Sequence, residues 1–281
     1  MSTCLVLEGG ALRGIYTAGV LDSLQKENIK IDAIIGVSMG SLIGINYVSN
    51  QPERALRYNL KYCKDKRYMG LFSLLKTGDI VNKDFAYYEI PNKIDPFDYE
   101  AFQESSIKFY CTVTNVLTGQ AEYIEIKNAK KDIEYLRAGG SMPIVSKIVE
   151  IDEQKYLDGG IADSIPVETA QEMGYDKIIV VLTRPIEYRK KKSKLRILSN
   201  HYRKYPEFVE TLESRNQRYN ETVEEIIKLE KEKKIFVIRP SVKIPIKRIE
   251  HNPKKIQKQY DLGVQDFAMN KRSLEEYLKK N

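Results

Sequence analysis

The first 48 residues alternate twice between a short apolar run and a helical pattern, and this alternation constrains the fold most. The runs at residues 3–8 (TCLVLE) and 31–37 (IDAIIGV) are rich in aliphatic and β-branched side chains, as buried strands are. Residues 14–28 and 41–48 follow them with helical patterns. Strands that alternate with helices pair in parallel, and helices cover both faces of the sheet. We therefore expect an α/β fold with a mainly parallel sheet.

The rest of the chain continues this order with antiparallel additions. The predicted elements are hairpins with turns at Thr118-Gly119 and near Asp152-Glu153, turns at Gly139, Gly140 and Pro143, helices at 52–64, 167–173, 207–234 and 254–280, and strands at 177–183 and 234–240. Residues 68–106 are predicted to form loops with short helices around the site. Because a strand returns after a basic stretch, we expect a single domain over 1–281. Its parts are core motifs in 3–185, a basic helical excursion over about 186–233, and a last strand and helix in 234–281.

The composition of the chain indicates its cellular environment but not the reaction that it catalyses. Hydrophobic residues make up 42% of the 281 residues and charged residues 30%, which is ordinary for a globular protein. The net charge of +7 indicates affinity for an anionic surface without choosing between nucleic acid and membrane. Three scattered cysteines argue against a disulfide framework or a zinc site. With no secretory signal or apolar span in the sequence, we expect a cytoplasmic protein, soluble or peripheral at the membrane.

The pentapeptide GVSMG places Ser38 at the junction between the second strand and the second helix. Gly36 and Gly40 flank the serine two residues away on each side. A serine between two glycines at a strand-to-helix turn is typical of a nucleophile elbow, in which a tight turn exposes the hydroxyl. A turn of small residues that packs a helix on a sheet has the same pattern, so the motif alone leaves both interpretations open.

The first turn, LEGGALRG, is also rich in glycine, with Gly9, Gly10 and Gly14 ahead of a helix. Dinucleotide binding is disfavoured because the G-x-G-x-x-G spacing and an acidic end to the second strand are both missing. A P-loop is disfavoured because Ile15 and Tyr16 stand where Lys and Ser or Thr are needed. An oxyanion hole built from backbone amides fits the turn, and a plain tight turn remains the alternative.

A serine nucleophile needs a base, and two interpretations stay open from the residues alone. His201 and His251 follow Ser38 in the chain order of α/β-hydrolases, but both lie in polar segments. Asp158 ends a strand-like run and precedes two glycines, which places a carboxylate at a sheet edge. Burial would raise the pKa of this carboxyl and strengthen it as a base. An ordinary Asp-Gly turn has the same pattern.

Taken together, these motifs resemble the patatin-like phospholipase family. The resemblance rests on EGGALRG, GVSMG and DGG in this order, and on AGGSMPIV and GGIADSIPVETA around the third motif; it covers residues 3 to 185. The later segment NPKKIQKQYDLG resembles the C-terminal helix of the bacterial branch. The resemblance implies a three-layer α/β/α sandwich and a carboxylic ester hydrolase of phospholipase A or lysophospholipase type that acts on lipids. It implies a Ser–Asp dyad without a catalytic histidine, cofactor or metal.

Carried over motif by motif, the resemblance assigns a role to each matching residue. Ser38 would be the nucleophile and Asp158 the general base, and the amides of Gly9, Gly10 and Ala11 would form the oxyanion hole. The supporting motif positions are Arg13, Gly14, Gly36, Gly40, Gly159 and Gly160.

One position departs from the family pattern, because Ala11 stands where the family usually has a third glycine. Alanine keeps the N–H donor but does not easily adopt a positive φ, so a loop that needs this geometry would be distorted. Ala11 therefore leaves open a catalytically weak lipid-binding or regulatory protein. A second alternative is an acyltransferase with the same dyad, because the sequence does not distinguish water from another alcohol as the acyl acceptor.

The basic stretch at 188–204 is the last feature of the sequence with a functional interpretation. Tyr and Leu side chains interleave its Lys and Arg residues. For a protein that acts on a lipid or small ester substrate, the stretch favours peripheral contact with an anionic membrane over nucleic-acid binding. A solvated charged loop is the plain alternative.

Overall fold

In a computed structural model that describes residues 1–191 and 196–279, helices cover both faces of an eight-stranded sheet. The strands are β1 (Thr3–Leu7), β2 (Ala33–Val37), β3 (Lys108–Asn115), β4 (Ala121–Glu125), β5 (Val149–Ile151), β6 (Gln154–Asp158), β7 (Lys177–Val181) and β8 (Phe236–Ile238). The α-helices are α1 (Ile15–Lys26), α2 (Met39–Val48), α3 (Arg54–Tyr62), α4 (Leu71–Thr77), α5 (Tyr99–Glu104), α6 (Ile133–Gly139), α7 (Val167–Glu172), α8 (Arg196–His201), α9 (Pro206–Lys231) and α10 (Pro253–Lys279). Short 3-10 helices span Ala11–Gly14 and Gly159–Ile161, and a π-helix spans Asp84–Ile94.

The central strands of the sheet run in parallel. The order is β5-β6-β3-β2-β1-β7-β8, and β4 pairs with β3 outside this path. Strands β3, β2, β1, β7 and β8 are parallel to their neighbours in this order, whereas β4 and β6 run antiparallel to β3. The α/β/α sandwich with a mainly parallel sheet is thereby confirmed.

Successive residues of β1 point to opposite faces, and each face has its own layer of helices. Leu5 and Leu7 belong to the larger core cluster, together with buried residues of α1, α2 and α10. Cys4 and Val6 belong to a second cluster with residues of α7 and α9. All four side chains are fully buried, which explains why the strand is apolar throughout rather than alternating.

The register of β3 brings two distant parts of the chain together. β2 and β6 share one edge of β3, since β4 occupies the other edge. Val37, the last residue of β2, lies opposite Thr112, and Asp158, the last residue of β6, lies opposite the next residue, Val113. Two strands that point towards each other therefore end side by side, and the turns that follow them meet.

Most elements lie where the sequence predicts them, and one predicted turn differs. Gly139, predicted as a turn residue, is the last residue of α6 and packs against Cys111 on β3. The region at 68–106 contains short helices as predicted, namely α4, the π-helix and α5. The π-helix tolerates Pro91 within it, which a regular α-helix would not.

Candidate active site

Ser38 lies in a strained turn between β2 and α2. Its φ of 54° and ψ of −123° lie outside the regions that side-chain-bearing residues normally occupy. The strain is enforced by close packing, because a Cβ on Gly40 would lie 2.5 Å from the carbonyl oxygen of Leu7. Ser38 is also the N-cap residue of α2, so its hydroxyl lies at the positive end of that helix. This is the geometry of a nucleophile elbow.

The hydroxyl of Ser38 donates a hydrogen bond to the carboxylate of Asp158. Ser38 Oγ lies 2.6 Å from Asp158 Oδ2, and the amide of Gly160 donates to Oδ1 at 2.8 Å. The carboxyl is 4% exposed. Burial raises its pKa, while the hydrogen bond from Ser38, the charge of Arg215 and the amide of Gly160 act in the opposite direction. A buried carboxylate bonded to a serine hydroxyl has the arrangement that general-base activation requires.

The glycine-rich first turn lies directly against Ser38. A Cβ on Gly9 would lie 2.8 Å from the Cβ of Ser38. Among the described residues, the amides of Gly9, Gly10 and Ala11 donate to no other group. Ala11 has a φ of 49°, so the loop does adopt the left-handed geometry that alanine disfavours. These three N–H groups are free to bind an anionic oxygen beside the serine.

The other motif glycines lie in the same three turns or directly beside them. Gly14 ends the first 3-10 helix beside Met39, Gly36 lies one residue before the end of β2, and Gly159 and Gly160 form the turn after Asp158. The structure thus brings all predicted motif residues together around Ser38.

Glu8 was not predicted as a site residue, although it precedes the first glycine. It is 3% exposed, and its carboxylate accepts hydrogen bonds from the amide and hydroxyl of Thr183 and from the hydroxyl of Tyr219. These contacts join the ends of β1 and β7 to α9. Glu8 therefore anchors the glycine turn from behind, and the signal in the sequence is an acid that ends a fully apolar strand.

The structure brings neither histidine to Ser38. His201 is exposed and packs edge-on against Tyr202. His251 is also exposed, and its Nδ1 contacts the carbonyl oxygen of Cys63. Neither side chain lines the two pockets that open beside Ser38. Of the three candidate bases, Asp158 is the one within hydrogen-bond distance of Ser38.

Two pockets of opposite character share Ser38 as a lining residue. The first, called here the apolar pocket, lies between α2, α3 and the region 68–97. Its wall is mostly aliphatic and aromatic, and includes Leu42, Met69, Val81, Ile90, Phe97 and Leu136. A pocket lined in this way suits a hydrocarbon chain.

The second, called here the cationic pocket, has a volume of about 490 Å³. Its cationic lining residues are Arg13, Arg184, Lys190, Arg215 and Arg248. Arg215 donates from Nε to the carbonyl oxygen of Gly160 at 2.6 Å, and Lys190 donates to Ser164 and lies 3.7 Å from the ring centre of Tyr219. Except for Arg13, the sequence motifs did not indicate these residues, because they come from segments far apart in the chain.

The basic stretch at 188–204 is only partly a surface feature. Tyr188 packs edge-on against Tyr219, and Lys190 lies in the cationic pocket. Arg189 forms an ion pair with Glu224 on α9. Residues 192–195 of the stretch lie outside the described part of the chain.

Two further observations concern metals and membranes. Within the described ranges, no three His, Cys, Asp or Glu side chains lie close enough together to hold a metal ion. Over the same ranges, no helix has the length and apolar composition needed to cross a bilayer.

The α/β/α sandwich and the strained serine turn define an α/β protein with a nucleophile elbow. The profile of the patatin-like phospholipase family matches residues 5–170, more than half of the chain, and the chain belongs to this family. A second profile, a domain of unknown function (DUF6363), matches residues 205–279.

Curated relatives agree with this assignment. The uncharacterized protein YjjU of Escherichia coli K12 is 27% identical over 187 residues, which are 64% of this chain and 52% of that protein. The lysophospholipase nte1 of Aspergillus niger is 28% identical over 186 residues, covering 64% of this chain and 12% of that protein. The lysophospholipase NTE1 of Mycosarcoma maydis is 30% identical over 189 residues, with coverages of 64% and 10%. The chain thus spans about half the length of YjjU and only 10% to 12% of the length of the two lysophospholipases.

Proposed function

We propose that this chain hydrolyses acyl esters of lipids, with Ser38 as the nucleophile and Asp158 as the general base. The observation that carries the proposal is the 2.6 Å hydrogen bond from the Ser38 hydroxyl to the buried carboxylate of Asp158. Membership in a phospholipase family and similarity to proteins named lysophospholipase support the lipid ester as substrate. The apolar pocket beside Ser38 supports an acyl chain as the group that is bound.

In the proposed mechanism, Asp158 takes the hydroxyl proton while Ser38 Oγ attacks the ester carbonyl. The amides of Gly9, Gly10 and Ala11 hold the oxyanion of the tetrahedral intermediate, each donor contributing about 3 kcal/mol. The intermediate collapses as the protonated Asp158 returns the proton to the leaving alcohol, and an acyl-serine remains. Asp158 then takes a proton from water as the water oxygen attacks the acyl carbon. The second tetrahedral intermediate collapses when Asp158 returns this proton to Ser38 Oγ, which breaks the bond between Oγ and the acyl carbon and releases the fatty acid.

Intact-mass analysis after treatment with a fluorophosphonate tests both roles at once. We expect one adduct on the wild-type protein, none on Ser38→Ala, and much slower labelling of Asp158→Asn. The matched controls are Ser41→Ala, which removes a buried hydroxyl in the same turn, and Asp152→Asn, which changes an exposed acid. Both controls should label as the wild type does. Absence of an adduct on well-folded wild-type protein, with and without lipid vesicles, would contradict the proposal.

We also propose peripheral contact with lipid surfaces. The part of the 188–204 stretch that is described points partly into the protein, so its charge supports such contact less than the sequence indicates. The helix α4 offers a better surface, because Leu71, Phe72 and Leu75 are 68%, 51% and 79% exposed. Met69 and Ile80, on either side of this helix in the chain, line the apolar pocket, so a lipid held at α4 would lie close to that pocket.

A further inference from the structure

The side chains that line the cationic pocket have a net positive charge. Five cationic side chains line it, against the two carboxylates Glu8 and Asp158. Within the described residues, none of the five cations forms an ion pair with a carboxylate. Both carboxylates are already engaged, Glu8 by Thr183 and Tyr219 and Asp158 by Ser38 and Gly160.

The cations lie close enough to destabilise one another. Burial and the charges of Arg184 and Arg248 lower the pKa of Arg13 to about 10. Burial and the charges of Arg215 and Arg248 lower the pKa of Lys190 to about 7, against the opposing effect of Glu8 and Asp158. Like charges held together without counter-ions are relieved by an anion, and a planar guanidinium binds phosphate oxygens through two parallel hydrogen bonds.

Four of the five cations lie after the segment that matches the family profile. Arg184 and Lys190 follow β7, Arg215 lies on α9, and Arg248 lies in the loop before α10. The carbonyl oxygen of Arg248 accepts the amide of Leu12 at 3.2 Å, so this loop is attached to the glycine turn. Arg215 and Arg248 belong to the residues that match the domain of unknown function. The C-terminal part of the chain thus completes the wall of the site.

The two pockets meet at the serine. The residues that line both are Ala11, Ser38, Ile80, Met142, Arg248 and Ile249. An ester carbonyl at Ser38 thus has a mostly apolar wall on one side and a mostly cationic wall on the other, with Arg248 at the boundary. An acyl chain in the apolar pocket would leave the alcohol part of the ester in the cationic pocket.

We propose that the C-terminal segment builds a specificity pocket for acyl esters whose alcohol part bears a phosphate without an attached cation. Because both lining carboxylates are engaged, a quaternary ammonium or amine beyond the phosphate finds no counter-ion in the pocket. Arg248, which is exposed at the rim, would repel it. This inference rests on the proposed function, since it assigns the alcohol side of the same reaction.

The test compares three esters with the same acyl chain, dispersed as monomers: acylglycerol phosphate, acylglycerophosphocholine and monoacylglycerol. We expect the highest kcat/KM for the phosphate ester. Arg248→Gln and Arg184→Gln should each lower that value about 10-fold or more, as the loss of one charge-assisted contact predicts, and should lower kcat/KM for monoacylglycerol by a smaller factor, because that ester has no phosphate. The control Arg272→Gln removes a positive charge from the exposed surface of α10 and should change neither value.

A second measurement separates the ester from free phosphate. Glycerol 3-phosphate should inhibit monoacylglycerol hydrolysis competitively and more strongly than inorganic phosphate, and Arg248→Gln should weaken this inhibition. If inorganic phosphate inhibits equally well, the glycerol part makes no contribution, and the pocket is a phosphate site without selectivity for the ester.

The outcomes distinguish this inference from the proposed function. If monoacylglycerol is hydrolysed but the phosphate ester is no better than the choline ester, the specificity pocket is refuted and the hydrolase stands. If no ester is hydrolysed and no fluorophosphonate adduct forms, the hydrolase fails. Calorimetric binding of glycerol 3-phosphate then decides the pocket: binding that Arg248→Gln weakens supports an anion site, and absence of binding refutes it.

Discussion

Ala11 holds a left-handed backbone conformation that costs an alanine about 1–2 kcal/mol. The loop requires this conformation, since its neighbours are fixed by hydrogen bonds from Leu12 to Arg248 and from Arg13 to Gly10. The sequence indicated that alanine is disfavoured at a positive φ, but it did not show whether the loop would adopt a positive φ at Ala11 or a different backbone conformation. The structure shows that the backbone geometry is kept and the residue is strained.

Replacement of Ala11 by glycine should remove this strain without loss of the N–H donor. We expect Ala11→Gly to leave the free energy of unfolding unchanged or raise it by up to about 1 kcal/mol, since the flexibility of glycine offsets part of the gain. Ala11→Val, with a β-branched side chain, should lower it by about 1–2 kcal/mol. Urea denaturation measures both. A marked loss of stability in Ala11→Gly would show that the methyl group, not the backbone, matters here.

The ionisation of Asp158 sets the pH dependence of the proposed reaction. Only the carboxylate accepts the proton of Ser38, so the rate of acylation should rise with pH through the pKa of Asp158 and then level off. Burial raises this pKa and the charge of Arg215 lowers it. Arg215→Gln should therefore shift the midpoint of the acid limb to higher pH.

Fluorophosphonate labelling rates between pH 4 and 9 measure this shift. The matched control is Arg218→Gln, one turn along α9, because Arg218 contacts backbone carbonyls of Ile161 and Thr211 rather than the site. Its profile should coincide with that of the wild type. An unshifted midpoint in Arg215→Gln would mean that the charge of Arg215 does not act on Asp158.

At the scale of elements, α4 presents an apolar surface that its packing does not use. Of its seven residues, Ser73 is buried and donates to the carbonyl oxygen of Asp79, whereas Leu71, Phe72 and Leu75 are exposed. An exposed cluster of this kind beside an apolar pocket is typical of a contact surface. The sequence predicted short helices in this region but not which of their faces would be exposed.

The double variant Leu71→Ser, Leu75→Ser tests the role of α4 in lipid contact. Each leucine contributes about 1.5–3 kcal/mol when it is transferred from water to an apolar phase. We expect at least a 10-fold weaker association with phospholipid vesicles in a co-sedimentation assay, and an unchanged unfolding midpoint because both side chains are exposed. Leu117→Ser, a partly exposed leucine in the hairpin between β3 and β4, should bind as the wild type does. Equal binding of the double variant would exclude α4 as the contact.

For the molecule as a whole, the crossing of α1 and α10 joins the family segment to the C-terminal segment. The two helices approach so closely that a Cβ on Gly263 would lie 2.1 Å from the carbonyl oxygen of Tyr16, and one on Gly19 would lie 2.2 Å from that of Tyr260. β8 also extends the parallel sheet beyond β7. We propose on this basis that the chain from 1 to 281 folds as a single unit.

Gly263→Ala tests this coupling. The added methyl group meets backbone that cannot move without separating the helices, so we expect a loss of about 3 kcal/mol in the free energy of unfolding. Urea denaturation of the wild type should follow a single transition by both fluorescence and circular dichroism. Met269→Ala, at a 68% exposed position of α10, is the control and should change little. Two separate transitions, with only one shifted by Gly263→Ala, would contradict a single unit.

Local patterns in the sequence determined the elements and the parts of the site that are contiguous. The apolar runs of β1, β2 and β7 and the glycine turns beside Ser38 and Asp158 follow from side-chain burial and backbone sterics within a few residues. These short-range constraints also carried the resemblance to the family.

The tertiary structure decided which distant groups meet. The shared edge of β3 places Asp158 beside Ser38 and leaves both histidines away from it. The packing of α9 and of the loop before α10 brings Arg215 and Arg248 to the same serine. A charged side chain has the same appearance in the sequence whether it faces solvent or a pocket. Its role depends on long-range packing, which no local pattern encodes.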